Sequence, residues 1–173
     1  IGEIMGVSAG EAIKEVAFVK CKGTCDKTKQ NFTYFGITDC NSAMNVPGQG
    51  GKACSYGCMG FGSCVKVCEF DSIHIVDGIA LVDREKCVDA CPKKLIDLVP
   101  YETFTFVQCN SQDKGKAVKE VCEVGCIACT MCVKACEDDA IHMNGNVALI
   151  DYSKCINCGK CAAKCPTKVI QVV

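Results

Sequence analysis

The sequence lacks several features on which most folded domains depend. It contains no tryptophan, only two histidines and 6% aromatic residues, so a large aromatic core is excluded. No run of about 20 apolar residues occurs, and we therefore expect no membrane-spanning helix in this chain. The formal net charge is −1, so the overall charge gives no indication of nucleic acid as a partner. The core must therefore depend on something other than aromatic side chains.

Cysteine is what the sequence has in excess, with 19 among 173 residues. Disulfides fit this content poorly because the count is odd, many cysteines are separated by only two residues, and no signal peptide is recognised. Iron–sulfur clusters or zinc in a reducing compartment fit better. The inorganic groups would then serve as cores, and folding would depend on them.

Eight of the cysteines form two runs with the spacing C-x2-C-x2-C-x3-C. The first run is Cys126, Cys129, Cys132 and Cys136, and the second is Cys155, Cys158, Cys161 and Cys165, followed by Pro166. This is the spacing of two-cluster bacterial ferredoxins, in which the fourth cysteine of each run ligates the other cluster. Three thiolates on one tight turn reach three iron corners, so the fourth must come from elsewhere. The predicted ligand sets are therefore Cys126, Cys129, Cys132 and Cys165 for one 4Fe-4S cluster, and Cys136, Cys155, Cys158 and Cys161 for the other.

The chain also contains an internal duplication. A shift of 68 residues places Cys54, Cys58, Cys64, Cys68 and Cys87 on Cys122, Cys126, Cys132, Cys136 and Cys155. With one residue of slippage, the segment that begins at Cys40 also matches the segment that begins at Cys109. One half of the chain can therefore be interpreted through the other.

The first half departs from the second at the middle ligand. Phe61 stands where the second half has Cys129, and Cys54 is the natural replacement. We therefore predict a cluster held by Cys54, Cys58, Cys64 and Cys91. The repeat mate Cys122 would then be a spare thiol near a cluster.

A second departure follows Cys87, where the segment ending at Pro92 is six residues shorter than the segment from Cys155 to Pro166. The shorter segment lacks two cysteines, which leaves only Cys68 and Cys87 for a neighbouring cluster. Either that cluster is absent or altered, or residues are missing from the sequence between Cys87 and Cys91. Both interpretations stay open.

Three further cysteines, Cys21, Cys25 and Cys40, match no ferredoxin spacing. They are either packing cysteines or three ligands of a further cluster or metal. The roles of Cys109 and Cys122 also stay open.

The remaining pattern predicts an α+β fold. Asp77-Gly78 and Asn144-Gly145 each stand between short apolar runs, which is typical of β-hairpins. Short helices are expected at Cys64 and Cys132, and another between Lys114 and Cys122. Residues 1–20 predict a helix followed by a strand at 17–19. We expect an N-terminal extension (1–53), a first ferredoxin-like module (54–100), a connecting strand and helix (101–121), and a second module with two 4Fe-4S clusters (122–173).

The stretch from Lys52 to Val65, following Gly36 to Cys40, resembles the ferredoxin-like iron–sulfur subunit of the Rnf electron-transport complex. The likeness covers most of residues 17–173. Family members carry an N-terminal membrane helix and a further cluster domain, and the sequence opens on Ile1, so we expect a fragment. The resemblance implies an electron-transfer subunit on the cytoplasmic face of the cell membrane, with no bond chemistry on the chain. Electrons would pass from reduced ferredoxin toward an NAD-reducing, flavin-bearing subunit of a complex that pumps sodium ions or protons.

At least three 4Fe-4S clusters are expected, and four or more stay open. The alternatives are a free-standing soluble polyferredoxin and a structural zinc protein with four-cysteine sites. Neither nucleic acid nor a catalytic residue is expected.

Overall fold

A computed structural model of the chain describes residues 14–83 and 91–172. This part of the chain contains eight short strands and five short helices. The strands are β1 (Glu15–Val19), β2 (Ile73–Val76), β3 (Ile79–Val82), β4 (Ile96–Pro100), β5 (Thr105–Val107), β6 (Ile141–Asn144), β7 (Val147–Ile150) and β8 (Ile170–Val172). The helices are α1 (Cys40–Met44), α2 (Ser63–Lys66), α3 (Gly115–Val121), α4 (Met131–Ala135) and α5 (Lys160–Lys164). The predicted mixture of helix and strand is confirmed.

The strands form four antiparallel pairs, and the pairs repeat in two halves. In the first half β1 pairs with β4 and β2 pairs with β3. In the second half β5 pairs with β8 and β6 pairs with β7. Both predicted hairpins are present, with Gly78 and Gly145 at positive φ in their turns. Each half therefore contains one hairpin and one antiparallel pair of strands that lie far apart in the sequence.

Two strands that the sequence analysis placed outside the modules pair with strands inside them. β1, from the predicted extension, pairs with β4 over the register from Val16 opposite Val99 to Val19 opposite Ile96. β5, from the predicted connector, pairs with β8 at the end of the second module. The predicted strand at 17–19 lies within β1, and the predicted helix before Cys122 is α3. The helix predicted before this strand lies mostly in residues outside the described part, but Val16, predicted on its apolar face, belongs to β1 instead.

The cores of the two halves use equivalent positions. Ile73 in β2 and Ile141 in β6 are repeat mates, and both are buried. Each packs with thiol-bearing loops, so cysteine side chains form part of the buried apolar surface in both halves. Strands of three to five residues and helices of four to seven residues bury too little apolar surface to form a core without these loops. Among residues 14–83 and 91–172, no helix is long and apolar enough to cross a membrane.

Candidate iron–sulfur sites

Three cysteine loops share one unusual backbone pattern. Positive φ angles alternate along each loop, at Gly60 and Gly62, at Ala128 and Thr130, and at Asn157 and Gly159. Such alternation turns successive backbone N–H groups toward one point and forms an anion-binding nest, a device found at iron–sulfur sites. A β-branched residue such as Thr130 at φ 58° is strained by about 1–3 kcal/mol, which the surrounding structure must offset. The local backbone thus fits an anionic group at all three loops.

The second module contains a cavity lined by Cys126, Cys129, Cys132 and Cys165. The first three lie on the loop before α4 and at its start, and Cys165 follows α5 from the other run. Burial raises the pKa of Cys165, but hydrogen bonds from the Ile170 backbone and the Thr167 hydroxyl hold it below the ordinary value of a thiol. The structure therefore brings together one predicted ligand set.

A second cavity of this module is lined by Cys136, Cys155, Cys158 and Cys161. Cys136 follows α4, and its sulfur accepts a hydrogen bond from the backbone N–H of Ala140 at 3.3 Å. Helices α4 and α5 pack against each other, which brings the end of each run to the start of the other. Each of these two cavities is thus lined by three cysteines of one run and the fourth cysteine of the other.

In the first module, one cavity is lined by Cys40, Cys58, Cys64 and Cys91. This grouping differs from the predicted set, because Cys40 occupies the position that was predicted for Cys54. Cys40 begins α1, and the Ser63 hydroxyl accepts a hydrogen bond from its backbone N–H at 2.7 Å. Ser63 in turn donates to Asp39 at 2.6 Å, so α1 is fixed directly beside the cysteine loop.

Cys54 lies in a fourth cavity, together with Cys21, Cys109 and Cys122. Two of these cysteines come from the first half of the chain and two from the second. Sequence reasoning left Cys109 and Cys122 without a role and Cys21 open. The signal that pointed to them was the duplication itself, since Cys54 and Cys122 are repeat mates.

Three cysteines remain after these four groups. Cys25 and Cys68, both in the described part of the chain, line none of the four cavities. Hydrogen bonds from the Ser72 hydroxyl and backbone N–H lower the pKa of Cys68. Cys87 lies outside the described residues.

Burial makes several of these thiols weak acids. Burial raises the pKa of Cys64, Cys109 and Cys132 to about 11 in each case. A cluster binds thiolates, so its binding must release the protons of these thiols. The positive charge of the iron atoms then stabilises the thiolates, which burial alone disfavours. Four convergent thiols with backbone N–H donors therefore fit a 4Fe-4S cluster, whose chemistry when bound is one-electron transfer.

Two lysines lie beside these cavities: buried Lys52 lines the cavity that contains Cys54, and half-buried Lys93 lines the first-module cavity. The Lys52 ammonium donates to the carbonyl oxygens of Gly23 at 2.9 Å and Gly78 at 2.7 Å and is almost fully buried. Lys93 donates to the carbonyls of Ser55 and Gly57. These cations favour negative charge at the adjacent cysteines.

The fold and the cysteine groups define the class of protein, a ferredoxin-like iron–sulfur protein. A protein-family profile described as a 4Fe-4S dicluster domain matches residues 125–169, which contain both C-terminal runs. Three curated proteins resemble nearly the whole chain. The subunit designated B in the Na(+)-translocating ferredoxin:NAD(+) oxidoreductase complex of Acetobacterium woodii is 48% identical over 177 residues, covering 98% of this chain and 53% of that protein.

The other two relatives have related names. The subunit designated B in the ion-translocating oxidoreductase complex of Methanosarcina acetivorans is 37% identical, covering 99% of this chain and 67% of that protein. Its counterpart in the proton-translocating ferredoxin:NAD(+) oxidoreductase complex of Clostridium ljungdahlii is 41% identical, covering all of this chain and 64% of that protein. The chain belongs to the Rnf family of iron–sulfur subunits that these relatives represent. It spans about half to two thirds of the length of these curated relatives.

Proposed function

We propose that this chain relays electrons from reduced ferredoxin toward an NAD-reducing, ion-translocating membrane complex. The observation that carries the proposal is the grouping of cysteines into convergent sets of four, each beside backbone N–H donors. The names of the relatives supply the donor, the acceptor and the complex. The chain itself would make and break no substrate bonds.

Three cluster sites support this relay. In the second module Cys126, Cys129, Cys132 and Cys165 would hold one 4Fe-4S cluster, and Cys136, Cys155, Cys158 and Cys161 a second. In the first module Cys40, Cys58, Cys64 and Cys91 would hold a third. The chain's residues orient the clusters, exclude water from their buried side and supply N–H groups that tune their potentials.

We further propose that the chain works at the cytoplasmic face of the membrane as part of the complex. The support is the set of complex-subunit names among its relatives. The coupled ion differs among those names, so both sodium ions and protons are candidates. A free-standing soluble carrier would use the same clusters but would not purify with other subunits.

Anaerobic spectroscopy with metal analysis tests the proposed function directly. The purified protein should absorb near 400 nm, bleach with dithionite and contain equal amounts of iron and acid-labile sulfide. Pre-reduced ferredoxin should bleach it as dithionite does. A protein that contains zinc without sulfide, or whose clusters reduced ferredoxin does not reduce, would contradict the proposal.

A pull-down from detergent-solubilised membranes tests membership in the complex. Recovery of a flavin-bearing subunit with this chain supports the relay. Recovery of the chain alone from the soluble fraction, with intact clusters, would favour the polyferredoxin alternative.

A further inference from the structure

We propose that Cys21, Cys54, Cys109 and Cys122 hold an additional 4Fe-4S cluster that joins the two modules. All four cysteines line one cavity, and each module contributes two of them. The inference rests on the proposal that this is an iron–sulfur protein, but none of these ligands belongs to the other three groups.

The four cysteines are arranged as two equivalent pairs. Cys21 follows β1 by two residues, and Cys109 follows β5 by two residues. The Cys21 sulfur accepts a hydrogen bond from the Cys58 N–H at 3.3 Å, and the Cys109 sulfur accepts one from the Cys126 N–H at 3.3 Å. Because Cys58 and Cys126 are repeat mates, Cys21 is the structural counterpart of Cys109. The sequence match between Cys40 and Cys109 does not reflect this equivalence.

The other pair, Cys54 and Cys122, is held by one segment of the chain between the modules. Thr28 forms a β-bridge with Cys122, and Gln30 forms one with Lys52. The Lys29 N–H donates to the Val121 carbonyl at 2.9 Å, and the Lys29 carbonyl accepts from the Ala53 N–H at 2.8 Å. Residues 28–30 therefore connect the backbone beside Cys54 to the backbone beside Cys122.

The sulfur atoms converge on positions where side chains are absent. A Cβ atom at Gly57 would lie 3.5 Å from the Cys54 sulfur and 3.6 Å from the Cys21 sulfur. A Cβ atom at Gly23 would lie 3.5 Å from the Cys122 sulfur and 3.8 Å from the Cys21 sulfur. Glycine at both positions keeps the space beside the thiols open.

The charge around the cavity suits an anionic group. A cluster with four thiolate ligands carries net negative charge, and burying it requires donors or a cation nearby. Buried Lys52 lines the cavity, and the buried Thr28 hydroxyl points to the Cys122 sulfur at 3.7 Å. The two backbone donors to Cys21 and Cys109 complete a set of groups that stabilise thiolates.

A four-iron cluster fits this group better than a single metal ion. Four thiolates on one zinc ion, at bonds of about 2.3 Å, lie about 3.8 Å from one another. Within the described residues, no set of three or more His, Cys, Asp or Glu side chains is arranged to hold one metal ion. A 4Fe-4S cluster fits thiolate sulfur atoms that lie farther apart, because each thiolate binds a different iron atom of the cube.

Such a cluster would connect the electron paths of the two modules. Cys21 is hydrogen-bonded to the ligand loop of the first module through Cys58. Cys109 is hydrogen-bonded to the ligand loop of the second module through Cys126. Each neighbouring cluster site is thus one backbone hydrogen bond away from this one.

An iron-edge anomalous-scattering map of the unaltered full-length protein tests the inference. We expect iron density among the four sulfur atoms, in addition to that in the three other cavities. A cavity without iron, or with scattering at the zinc edge, overturns the inference. Iron in the second module with none here would overturn this inference while leaving the proposed function intact, whereas no iron anywhere would overturn both.

Iron analysis of matched double variants provides a second test. Cys109→Ala with Cys122→Ala should lower iron by about four atoms per chain and leave the other cluster signals in place. The matched control, Cys25→Ala with Cys68→Ala, removes two cysteines that line none of the four cavities and should lose no iron. Equal iron in the two double variants would overturn the inference. Where the test variant loses all its iron, the anomalous map of the unaltered protein decides.

Discussion

The two modules have the same strand frame but are built around different cysteine sets. Each contains one hairpin, one antiparallel pair of strands far apart in the sequence, and a loop that begins at Cys58 or at Cys126. The backbone of the two loops is the same at the positions that matter, with positive φ at Gly60 and Gly62 in one and at Ala128 and Thr130 in the other. The loop in the first module therefore forms the nest even though its central cysteine is replaced by Phe61.

Packing supplies the missing thiol from another part of the chain. Phe61 packs on Tyr34, with ring centroids 4.9 Å apart, and α1 carries Cys40 into the cavity. The loop backbone is therefore the same in the two modules, whereas the fourth ligand can come from any segment that the fold places beside the loop.

The modules also differ beyond this loop. The second run of the second module includes α5. The corresponding segment of the first module, from Cys87 to Pro92, is six residues shorter in sequence. Cys68 keeps the hydrogen bond of its mate Cys136, from the N–H of Ser72 instead of Ala140, but joins none of the four cavities. Cys68 thus keeps one local hydrogen bond of Cys136, and Cys87, the other cysteine predicted beside it, lies outside the described residues.

The largest effect is expected from Cys165→Ser. It should cost the cluster held with Cys126, Cys129 and Cys132, although Cys165 lies in the other run. About four iron atoms per chain should be lost, as measured by iron analysis and EPR of the reduced protein. Cys136→Ser is the matched variant and should remove the other cluster. Loss of the same EPR signal in both variants would contradict the interlocked assignment.

The next largest effect is expected from Cys40→Ser, which should cost the first module its cluster and leave both second-module clusters intact. Adding Phe61→Cys should restore part of the iron, because the loop backbone already matches the loop around Cys129. Iron analysis and EPR of the single and double variants check this. Cys54 is the fourth ligand predicted from the sequence, but Cys54→Ser should leave the EPR signal of the first-module cluster in place. Loss of that signal would contradict the grouping in the structure.

A smaller effect is expected from the lysines on and after α5, a helix with no counterpart among the described residues of the first module. On charge alone, Lys154, Lys160, Lys164 and Lys168 are an ordinary solvated face, and the resemblance to the Rnf subunit is what predicts a docking face for an acidic ferredoxin there. The structure pairs Lys160 with Glu137 at 2.7 Å and Lys154 with Asp139 at 3.9 Å, whereas Lys164 and Lys168 are exposed with no ion pair to a described acidic residue. Reversing Lys164 and Lys168 to Glu should slow reduction by ferredoxin roughly threefold to tenfold at low salt.

Stopped-flow reduction across a salt series measures this effect, and the difference should shrink as salt screens the charges. Iron content should be unchanged, since no lysine is a ligand. Lys116→Glu with Lys119→Glu, on α3, is the control for overall charge. If both double variants react at the rate of the unaltered protein, the docking face lies elsewhere.

The smallest effect is expected from Cys68→Ala, which should leave iron content and EPR signals unchanged. Its repeat mate Cys136 supplies the contrast, since Cys136→Ala should lose a cluster. Loss of iron from Cys68→Ala would show that the first module holds a further cluster, with ligands beyond the four groups described.

The sequence could predict the elements whose signals are local. Asp77-Gly78 and Asn144-Gly145 indicated two hairpins, and both are present as β2–β3 and β6–β7. The strand before Cys21 and the helix before Cys122 were also predicted. The module boundaries were harder to predict, because β1 and β5 find their partners about 80 and 65 residues away along the chain, and short apolar strands carry no signal of which distant strand they pair with.

By itself the sequence determined the arrangement of cysteines within each run. Three thiols within seven residues on a tight turn can face one cube whatever surrounds them, so spacing is enough to group Cys126, Cys129 and Cys132. Only the tertiary structure decided which distant thiols join such groups. Cys40 reaches the first-module cavity because α1 packs on the loop at Ser63. Cys54 and Cys122 line one cavity because residues 28–30 connect the backbone beside each of them. Those contacts depend on side-chain packing between segments far apart in the chain, which no cysteine spacing encodes.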